Sequence, residues 1–370
     1  MKQRPQFAAF DFESEGLGGK ALAFSWCLED GAPHYYTHDN PAVIEDYALQ
    51  VMLDNPAYRW YAHNAQYDWR YLIPAIRRTK TPTVYLSRTA TDIYSIRLNP
   101  DSETPCNMVD SMAMWPGSLA SMLDTFCPEL PKLKIDVTKF DRKDPEHIAY
   151  SKRDAEGLVT AMIRFDQTML EAYGEHIQLT TAGTSMKAWR RTIPDGTQYS
   201  PPLKYEEFIR QSYFGGYVIP HNIAAWENCK TYDINSSYPA SMRDYEYPNG
   251  AATETRKFNE DCLGIYECEV KTPEDCTVPL LGKKEMRNKT DVTNWPRGNF
   301  KTVATSPEIK FARDHGYEVK VIRGIFFESV CRPFVDFVKM SQKTRIQNKG
   351  TPLEAVCKLM QNSLYGKFGA

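Results

Sequence analysis

The sequence predicts a fold of the α/β class, α+β overall, with two or three domains. In the first half of the chain, apolar segments typical of strands, such as residues 6–13, alternate with segments whose apolar residues recur at helical spacing, such as residues 64–78. The chain has 370 residues, which exceeds one ordinary domain. Because its apolar runs are only a few residues long, we expect no transmembrane helix and no membrane partner.

Charge and cysteine content narrow the class of protein. Nine cysteines occur without a Cys-x-x-Cys pair, which argues against a zinc ribbon and a secreted disulfide framework. Their odd number, and an N-terminus without an apolar signal core, indicate a reducing compartment, so we expect a cytoplasmic location. The net charge is −2, yet residues 341–370 contain five basic residues and one acid. This local excess indicates either a solvated face or a surface that attracts phosphate.

The predicted strand over residues 6–13 ends in two acids. Residues two apart on a strand share a face, so Asp11 and Glu13 point one way while Phe10 and Phe12 point the other. Adjacent carboxylates repel each other unless a cation lies between them. The pair is therefore either a common surface feature of a strand end or part of a metal site.

Residues 64–78 predict a helix that carries an acid on its apolar side. Asn64, Asp68, Leu72 and Ile76 are each four residues apart, which places Asp68 on a core-facing stripe. Burial of an unpaired carboxylate costs several kcal/mol, so we expect a metal or an arginine as its partner.

A long helix is predicted from residue 145. Asp144 suits the N-cap and Pro145 the first helical position. Tyr150 and Asp154 lie one turn apart on its apolar stripe, so that Asp154 is a second acid on an apolar helical face.

These acids favour one shared site for Mg²⁺ or Mn²⁺, built from Asp11, Glu13, Asp68 and Asp154. Two such ions, roughly 3.5–4 Å apart, are the usual device for in-line attack on a phosphodiester. One ion activates water and the other stabilises the leaving oxygen, and Tyr150 is placed to orient the water.

Three residue pairs in this order resemble the motifs of proofreading 3′→5′ exonucleases of the DEDD type with a tyrosine in the third motif: Asp11-x-Glu13, Asn64-x-x-x-Asp68 and Tyr150-x-x-x-Asp154. The resemblance implies a ribonuclease H-like exonuclease domain, catalytic and metal-binding roles for the four acids, a catalytic role for Tyr150 and a DNA contact for Asn64. It also implies a lysine that steadies the scissile phosphate. Lys134 is the first candidate, and Lys132 is nearly as good.

Residues 171–205 predict a connector rich in Thr and Pro, followed by a short helix at 205–210. The next stretch, Ser212-Tyr213-Phe214-Gly215-Gly216-Tyr217, is either a glycine turn or a place where backbone and rings approach DNA bases. It resembles the Tyr-x-Gly-Gly segment of protein-primed family B DNA polymerases, which implies that Tyr213, Gly215 and Gly216 bind single-stranded template. Family members often carry arginine at the position of Phe214, so we expect one phosphate contact to be missing.

Residues 232–239 predict a strand end followed by a tight polar turn. A carboxylate there can bind a divalent metal, although such sequences are more often only turns. The stretch resembles the first palm motif of the same family, with Ser237 where leucine is usual. The resemblance implies that Asp233 binds metal, Ser236 contacts the triphosphate and Tyr238 closes against the sugar.

Residues 249–332 predict strands at 263–270 and 319–327, a helix at 306–316 and a loop with the basic residues Lys283, Lys284, Arg287 and Lys289. By its location alone, this region resembles the insertion with which protein-primed polymerases hold their terminal protein.

The last predicted helix begins at Thr351-Pro352-Leu353-Glu354, which has the pattern of a capping box, and ends at Gly366. Lys358, Asn362 and Tyr365 share one face, which is either an exposed amphipathic face or a site for a triphosphate and a nascent base pair. These residues closely resemble the family's fingers motif, which implies nucleotide binding by Lys358 and Tyr365 and DNA binding by Asn362.

The resemblance implies this domain order: exonuclease at 1–175, connector and first part of the palm at 176–248, insertion at 249–332, and fingers helices at 333–370. No Asp-Thr-Asp sequence, the family's second palm carboxylate motif, occurs in the chain. We therefore expect the N-terminal portion of a replicative DNA polymerase, either truncated or completed by a second polypeptide that supplies the remaining palm and thumb. The implied partners are template and primer DNA, dNTPs and a terminal protein primer, in the host-cell cytoplasm for a viral member. Two alternatives stay open: a stand-alone exonuclease with a vestigial palm, and a non-catalytic remnant that binds DNA or the primer protein.

Overall fold

The computed structural model describes residues 4, 6–16, 18–87, 92–197, 203–219, 224–234, 236–287 and 290–368. Asn235 of the predicted palm turn, Lys289 of the predicted basic loop and the side chain of Arg287 lie outside the described part. The chain folds as two compact units, Met1–Ala188 with Ser341–Leu364 and Trp189–Met340 with Tyr365–Ala370. Within the described ranges, no helix has the length and apolar character needed to cross a bilayer.

A seven-stranded mixed sheet forms the centre of the first unit, in the order β3-β2-β1-β4-β7-β6-β5. Its strands are β1 (Gln6–Ser14), β2 (Ala21–Leu28), β3 (His34–Tyr36), β4 (Tyr58–Ala62), β5 (Thr83–Ser87), β6 (Ile93–Leu98) and β7 (Cys106–Asp110). β1, β4 and β7 run parallel, and the other neighbours are antiparallel. The carboxyl ends of β1, β4 and β7 therefore lie at one edge, where open α/β sheets usually place ligands.

The helices up to residue 190 are α1 (Pro41–Asp54), α2 (Gln66–Thr79), α3 (Leu119–Phe126), α4 (Pro145–Tyr173) and α5 (Thr181–Arg190). The predicted start of α4 is confirmed: the Asp144 side chain accepts a hydrogen bond from the Glu146 N–H at 2.8 Å, and Pro145 is the first helical residue. The helix ends at Gly174, whose φ of 67° lies in the left-handed region that glycine adopts without strain.

The two faces of β1 have different environments. Phe10 and Phe12 pack into an apolar core with Ile44 of α1 and Leu72 of α2. Because side chains alternate along a strand, Asp11 and Glu13 point to the opposite face. α4 packs against β1 and β2, and it carries Tyr150 and Asp154. The alternation predicted from the sequence thus separates the acids from the aromatic core.

The second unit contains a four-stranded antiparallel sheet, in the order β12-β9-β13-β8, and a separate two-stranded hairpin, β10-β11. The strands are β8 (Tyr247–Thr255), β9 (Leu263–Lys271), β10 (Lys283–Arg287), β11 (Thr290–Asn294), β12 (Asn299–Thr305) and β13 (Glu318–Cys331). Its helices are α6 (Glu206–Gln211), α7 (Ser237–Asp244) and α8 (Ser306–Asp314). Ile309 and Ala312 of α8 share a core with Tyr266 of the sheet. The last helices, α9 (Val335–Gln347) and α10 (Pro352–Phe368), each contribute residues to both units.

The mixed α/β class is confirmed, but the strand predicted to end at Asp233 is wrong. Within the described residues 224–234 there is no strand, and Tyr232 and Ile234 are 86% and 76% exposed. A strand needs a neighbour that pairs its backbone groups, and no described strand pairs with this segment.

Two segments are more regular than predicted. The expected connector contains α5, whose polar and glycine-containing sequence gives it little helical propensity. Tertiary contacts compensate, because the Ser185 hydroxyl donates to the Met360 carbonyl at 2.6 Å. The expected basic loop forms the hairpin β10-β11, since Lys283–Arg287 pairs in register with Thr290–Asn294.

Two helix ends also differ from the predictions. α2 begins at Gln66, so Asn64 precedes it, in the left-handed region with a φ of 61°. In front of α10, the Glu354 carboxylate accepts from the Gly350 N–H at 2.7 Å, whereas the Thr351 hydroxyl donates to a carbonyl instead of capping. Gly366 does not end α10, which continues to Phe368.

Candidate functional site

Most of the predicted exonuclease residues line one cavity of about 660 Å³ beside the carboxyl ends of β1, β4 and β7. Its walls comprise Asp11, Phe12, Glu13, Ser14, Gly16, His63, Asn64, Tyr67, Met112, Gly117, Ser118, Leu119, Lys132, Val137, Thr138, Tyr150 and Asp154. Five of the six residues that the three motifs predicted belong to this set, and the sixth, Asp68, lies directly behind it.

The four predicted acids reach this place from three elements. Asp11 and Glu13 come from β1, and Asp154 comes from α4. Asp68, in the first turn of α2, is only 1% exposed. Its Oδ1 accepts a hydrogen bond from the Phe12 N–H at 3.0 Å. We expected a metal or an arginine as the partner of Asp68, and the structure adds a backbone N–H, which ties α2 to the strand that carries Asp11 and Glu13.

The acids of this cluster are buried together, and their charges repel each other. Burial, followed by the charges of Glu13, Asp68 and Asp154, raises the pKa of Asp11 well above its usual value. Burial and the nearby Asp154 raise the pKa of Glu13 to about 7. Burial likewise raises the pKa of Asp68 and of Asp154, although Lys132 opposes the shift at Asp154. The charged forms of these acids are therefore disfavoured in this place, and a cation would relieve that free-energy cost.

Lys132 is the cation that the structure brings to the acids. Its ammonium pairs with Asp154 Oδ2 and lies 4.8 Å from the centroid of the Tyr150 ring. Lys134, the first candidate for the phosphate contact, is exposed and is not among the described residues that line the cavity. The loop over residues 130–136 has no regular structure, so the sequence alone could not decide which of the two lysines points inward.

The donor set fits a divalent cation. Glu13 Oε1 and Asp154 Oδ1 are buried and have no hydrogen-bond partner in the described structure. Carboxylate oxygens of this kind are the ligands that Mg²⁺ and Mn²⁺ prefer. In the described ranges, no three His, Cys, Asp or Glu side chains form a preformed metal site. Lys132 and the Phe12 N–H engage one oxygen each of Asp154 and Asp68, and neither contact involves Glu13 Oε1 or Asp154 Oδ1.

Sequence reasoning missed polar residues at the ends of β4 and β7. His63 joins two segments, since its Nδ1 is 2.9 Å from the Ser111 hydroxyl and its Nε2 is 2.9 Å from the Gly117 carbonyl oxygen. Burial lowers the pKa of His63, which favours the neutral ring. Asp110 accepts from the Asn64 N–H at 3.2 Å and so helps to hold Asn64 in its left-handed conformation at the cavity wall. Their positions at the carboxyl ends of parallel strands, His63 directly after β4 and Asp110 as the last residue of β7, were the only pattern that could have indicated them.

A second group of predicted residues meets in the second unit. The rings of Tyr213 and Tyr365 stack with centroids 5.4 Å apart, and Tyr238 lies 5.2 Å from Tyr365. The Tyr365 hydroxyl donates to the Phe214 carbonyl at 3.0 Å. The Tyr-x-Gly-Gly segment, the first residues of α7 and the end of α10 therefore form one aromatic cluster.

The other predicted polymerase residues are in the segment before α7 and on α10. Asp233 is in the exposed segment before α7, and Ser236 is the residue in front of that helix, with a φ of 56°. Lys358 and Asn362 are exposed on α10, two turns and one turn before Tyr365. On the apolar face of that helix, Val356 and Leu364 are buried, whereas Leu353 and Leu359 are partly buried.

The two glycines of the Tyr-x-Gly-Gly segment differ in their surroundings, which gives a first prediction. A Cβ atom at Gly216 would lie 2.9 Å from the Tyr238 hydroxyl oxygen, whereas a Cβ at Gly215 would meet nothing within 4 Å. We expect Gly216→Ala to destabilise the protein by about 1 kcal/mol, because Tyr238 must move. Gly215→Ala should stay within about 0.5 kcal/mol of the wild type in urea unfolding. Equal effects of the two changes would contradict this packing.

The chain is similar to known DNA polymerases over most of its length. Residues 141–370 match the family model for DNA polymerase type B, organellar and viral. The chain is 31% identical over 182 residues to a probable DNA polymerase of Neurospora intermedia, a match that covers 45% of this chain and 18% of that protein. It is 26% identical over 382 residues to the DNA-directed DNA polymerase of Enterobacteria phage PRD1, covering 98% of this chain and 61% of that enzyme.

Solved structures show the same fold. Phi29 DNA polymerase in an orthorhombic crystal form superposes with a TM-score of 0.77 at 19% identity, covering 99% of this chain and 68% of that one. Phi29 DNA polymerase complexed with single-stranded DNA gives a TM-score of 0.74 at 18% identity, with the same coverage. The chain thus spans 61% or less of the length of the two curated relatives named above.

Proposed function

We propose, from the premise that this chain belongs to the family DNA polymerase type B, organellar and viral, that its first unit is a metal-dependent 3′→5′ exonuclease and that the chain serves protein-primed DNA replication. The relatives are named as polymerases, which supports nucleotide transfer, whereas the exonuclease proposal depends on the geometry of the cavity.

The observation that carries the exonuclease proposal is the pair of buried, unpartnered oxygens, Glu13 Oε1 and Asp154 Oδ1, in a cluster of mutually repelling acids. Burial of such oxygens without a hydrogen bond costs about 1–3 kcal/mol each, or more when the group is charged. This cost lowers the stability of the fold and serves no structural purpose. The binding of divalent cations by these oxygens would offset it.

Each cavity residue has a distinct proposed role. Asp11, Glu13, Asp68 and Asp154 would hold the cations, and Asp68 would also fix the strand that carries Asp11 and Glu13. Two bound ions would polarise the phosphodiester and activate the attacking water. Tyr150, next to Asp154 in the cavity wall, would orient that water. Asn64 would contact the terminal nucleotide, and Lys132 would contact the scissile phosphate.

An exonuclease assay tests this proposal. Single-stranded DNA labelled at its 5′ end should shorten one nucleotide at a time in Mg²⁺ or Mn²⁺ and stay intact in EDTA. DNA labelled at its 3′ end should release the label as mononucleotide from the start. Binding without hydrolysis in either metal would favour a non-catalytic DNA-binding remnant.

The two lysines of the 130–136 loop give a matched pair of variants. We expect Lys132→Ala to slow hydrolysis by about a hundredfold, the usual loss when one preorganised donor to a developing negative charge is removed. Lys134→Ala removes the same charge from an exposed position and should stay close to the wild type in the same assay. The opposite order of effects would assign the phosphate contact to Lys134.

The polymerase half of the proposal concerns the second unit and α10. Asp233 would bind metal, Ser236 the triphosphate and Tyr238 the sugar, while Lys358 and Tyr365 would bind the incoming dNTP. Tyr213, Gly215, Gly216 and Asn362 would bind template and primer DNA. The domains proposed are exonuclease at 1–175, connector and first palm part at 176–248, insertion for a terminal protein at 249–332, and fingers helices at 333–370.

Nucleotide incorporation on a primed template tests this second half. Incorporation by the purified chain that Asp233→Ala abolishes would support polymerisation by these residues alone. Incorporation only after a further polypeptide is added would support a shared palm. Exonuclease activity without incorporation under either condition would favour a stand-alone nuclease.

A further inference from the structure

Segment 213–217 is packed against the hairpin β10-β11 and its flanks, within the region that resembles a terminal-protein insertion by its location alone. Trp295, which directly follows β11, contacts Tyr217 with centroids 4.0 Å apart and ring planes tilted by 38°, and its ring centroid lies 5.9 Å from that of Phe214. A Cβ atom at Gly282, in front of β10, would come within 3.0 Å of Phe214 and 3.3 Å of Trp295. Gly282 thus allows these rings to pack closely on the hairpin region.

One lysine of this hairpin lies among the rings. The Lys284 ammonium is 5.8 Å from the centroid of Phe214 and 5.9 Å from that of Tyr213, which is within the range of a cation–π contact. It donates a hydrogen bond to the Arg210 carbonyl at 2.6 Å. An ammonium carries three N–H donors, so this carbonyl engages only one of them.

Neighbouring lysines have acidic partners, and Lys284 differs from them. Lys283 pairs with Glu285 at 3.0 Å, and Lys301 pairs with Glu269 at 3.4 Å. In the part of the chain that the structure describes, Lys284 has no ion pair with a carboxylate. The Lys284 side chain is partly buried and places its ammonium near two rings, and no described carboxylate forms an ion pair with it, so it is suited to bind an anion from outside the protein.

The combination of ring faces and one cation is the chemistry of a single-stranded DNA site, in which aromatic rings stack on bases and cations contact the backbone. We expected one phosphate contact to be missing at Phe214. The Lys284 ammonium, which comes from β10, lies near the Phe214 ring and is placed to supply that contact. We propose that Lys284 and Trp295 extend the single-strand surface of segment 213–217, with Lys284 contacting a phosphate and Trp295 holding the rings against the bases. This proposal builds on the proposed DNA-handling function of that segment.

The test uses binding of the full chain to a small circular single-stranded oligonucleotide in EDTA, measured by fluorescence anisotropy at several salt concentrations. A circle has no 3′ terminus for the exonuclease cavity, and EDTA prevents hydrolysis. We expect Lys284→Ala to weaken binding by about fivefold to tenfold and to reduce the salt slope by about 0.7, the contribution of one single-strand phosphate. Trp295→Ala should weaken binding by at least about fivefold, because the rings that Trp295 holds would stack less well on the bases.

Three controls separate the outcomes. Lys283→Ala removes the same charge from the adjacent, acid-paired position and should change binding by less than about twofold. Lys284→Arg should restore most of the affinity, and thermal unfolding of each variant checks its fold. If Lys284→Ala and Trp295→Ala bind like the wild type while Tyr213→Ala does not, the hairpin proposal is wrong and the hairpin surface is left for a protein partner. If the wild type does not bind the circle at all, the DNA-handling function of the segment fails as well.

Discussion

Replacing Asp11 and Asp154 together by alanine is expected to slow 3′→5′ hydrolysis by at least about a thousandfold. The two acids come from β1 and α4 and both line the cavity, so their loss removes proposed cation ligands from two elements. Metal ions supply several kcal/mol of transition-state stabilisation, and about 4 kcal/mol corresponds to a factor of about 1,000 in rate. Initial rates on 5′-labelled single-stranded DNA at saturating Mg²⁺ measure the loss.

A matched control removes two carboxylates elsewhere in the first unit. Asp101 and Asp124 are exposed, so the double change Asp101→Ala and Asp124→Ala alters the net charge equally without touching the cavity. Its rate should stay within about twofold of the wild type. Unchanged activity in the Asp11 and Asp154 double variant, with its fold intact, would remove the basis of the site assignment.

Divalent metal should also stabilise the first unit strongly. Without a cation, Asp11, Glu13, Asp68 and Asp154 repel each other in a buried place, and a ligand that binds only the folded state stabilises it by mass action. Mg²⁺ at about 100 times its dissociation constant contributes about 2.7 kcal/mol, which raises the unfolding midpoint by roughly 5–10 °C for a unit of this size. Tryptophan fluorescence can follow the transition, because Trp60 and Trp69 are buried in the core of this unit.

Glu13→Gln gives the stability prediction its sharpest control. The change removes one charge from the cluster while keeping the shape of the side chain. We therefore expect a higher midpoint than the wild type in EDTA and a smaller gain on adding Mg²⁺. A wild-type midpoint that does not respond to Mg²⁺, or an equal gain in the Asp11 and Asp154 double variant, would show that the acids do not bind the ion.

The sequence predicted the parts of the fold that depend on local chemistry. The cap at Asp144 and the alternation of β1 follow from neighbouring residues alone, and both appear as expected. The convergence of Asp68 and Asp154 was also predictable, because an acid on an apolar helical face requires a partner. The identity of one partner was not, since the Phe12 N–H that binds Asp68 is 56 residues away in the sequence.

Features that depend on contacts between residues far apart in the sequence could not be predicted from it. α5 has low intrinsic propensity and is held by contacts such as that of Ser185 with Met360. The position of Lys132 against Asp154 depends on the path of an irregular loop, which spacing rules do not describe. The strand expected before Asp233 shows the reverse case, in which a sequence with strand propensity lacks a pairing partner in the described chain.

Diffraction from crystals soaked in Mn²⁺ together with a short single-stranded oligonucleotide tests the central idea most directly. Anomalous scattering should place two manganese ions, about 3.5–4 Å apart, in contact with carboxylate oxygens of Asp11, Glu13 and Asp154. Lys132 should then have exchanged Asp154 for a phosphate oxygen. Crystals that bind the oligonucleotide but hold no manganese between these acids, with Lys132 still paired to Asp154, would contradict the proposal.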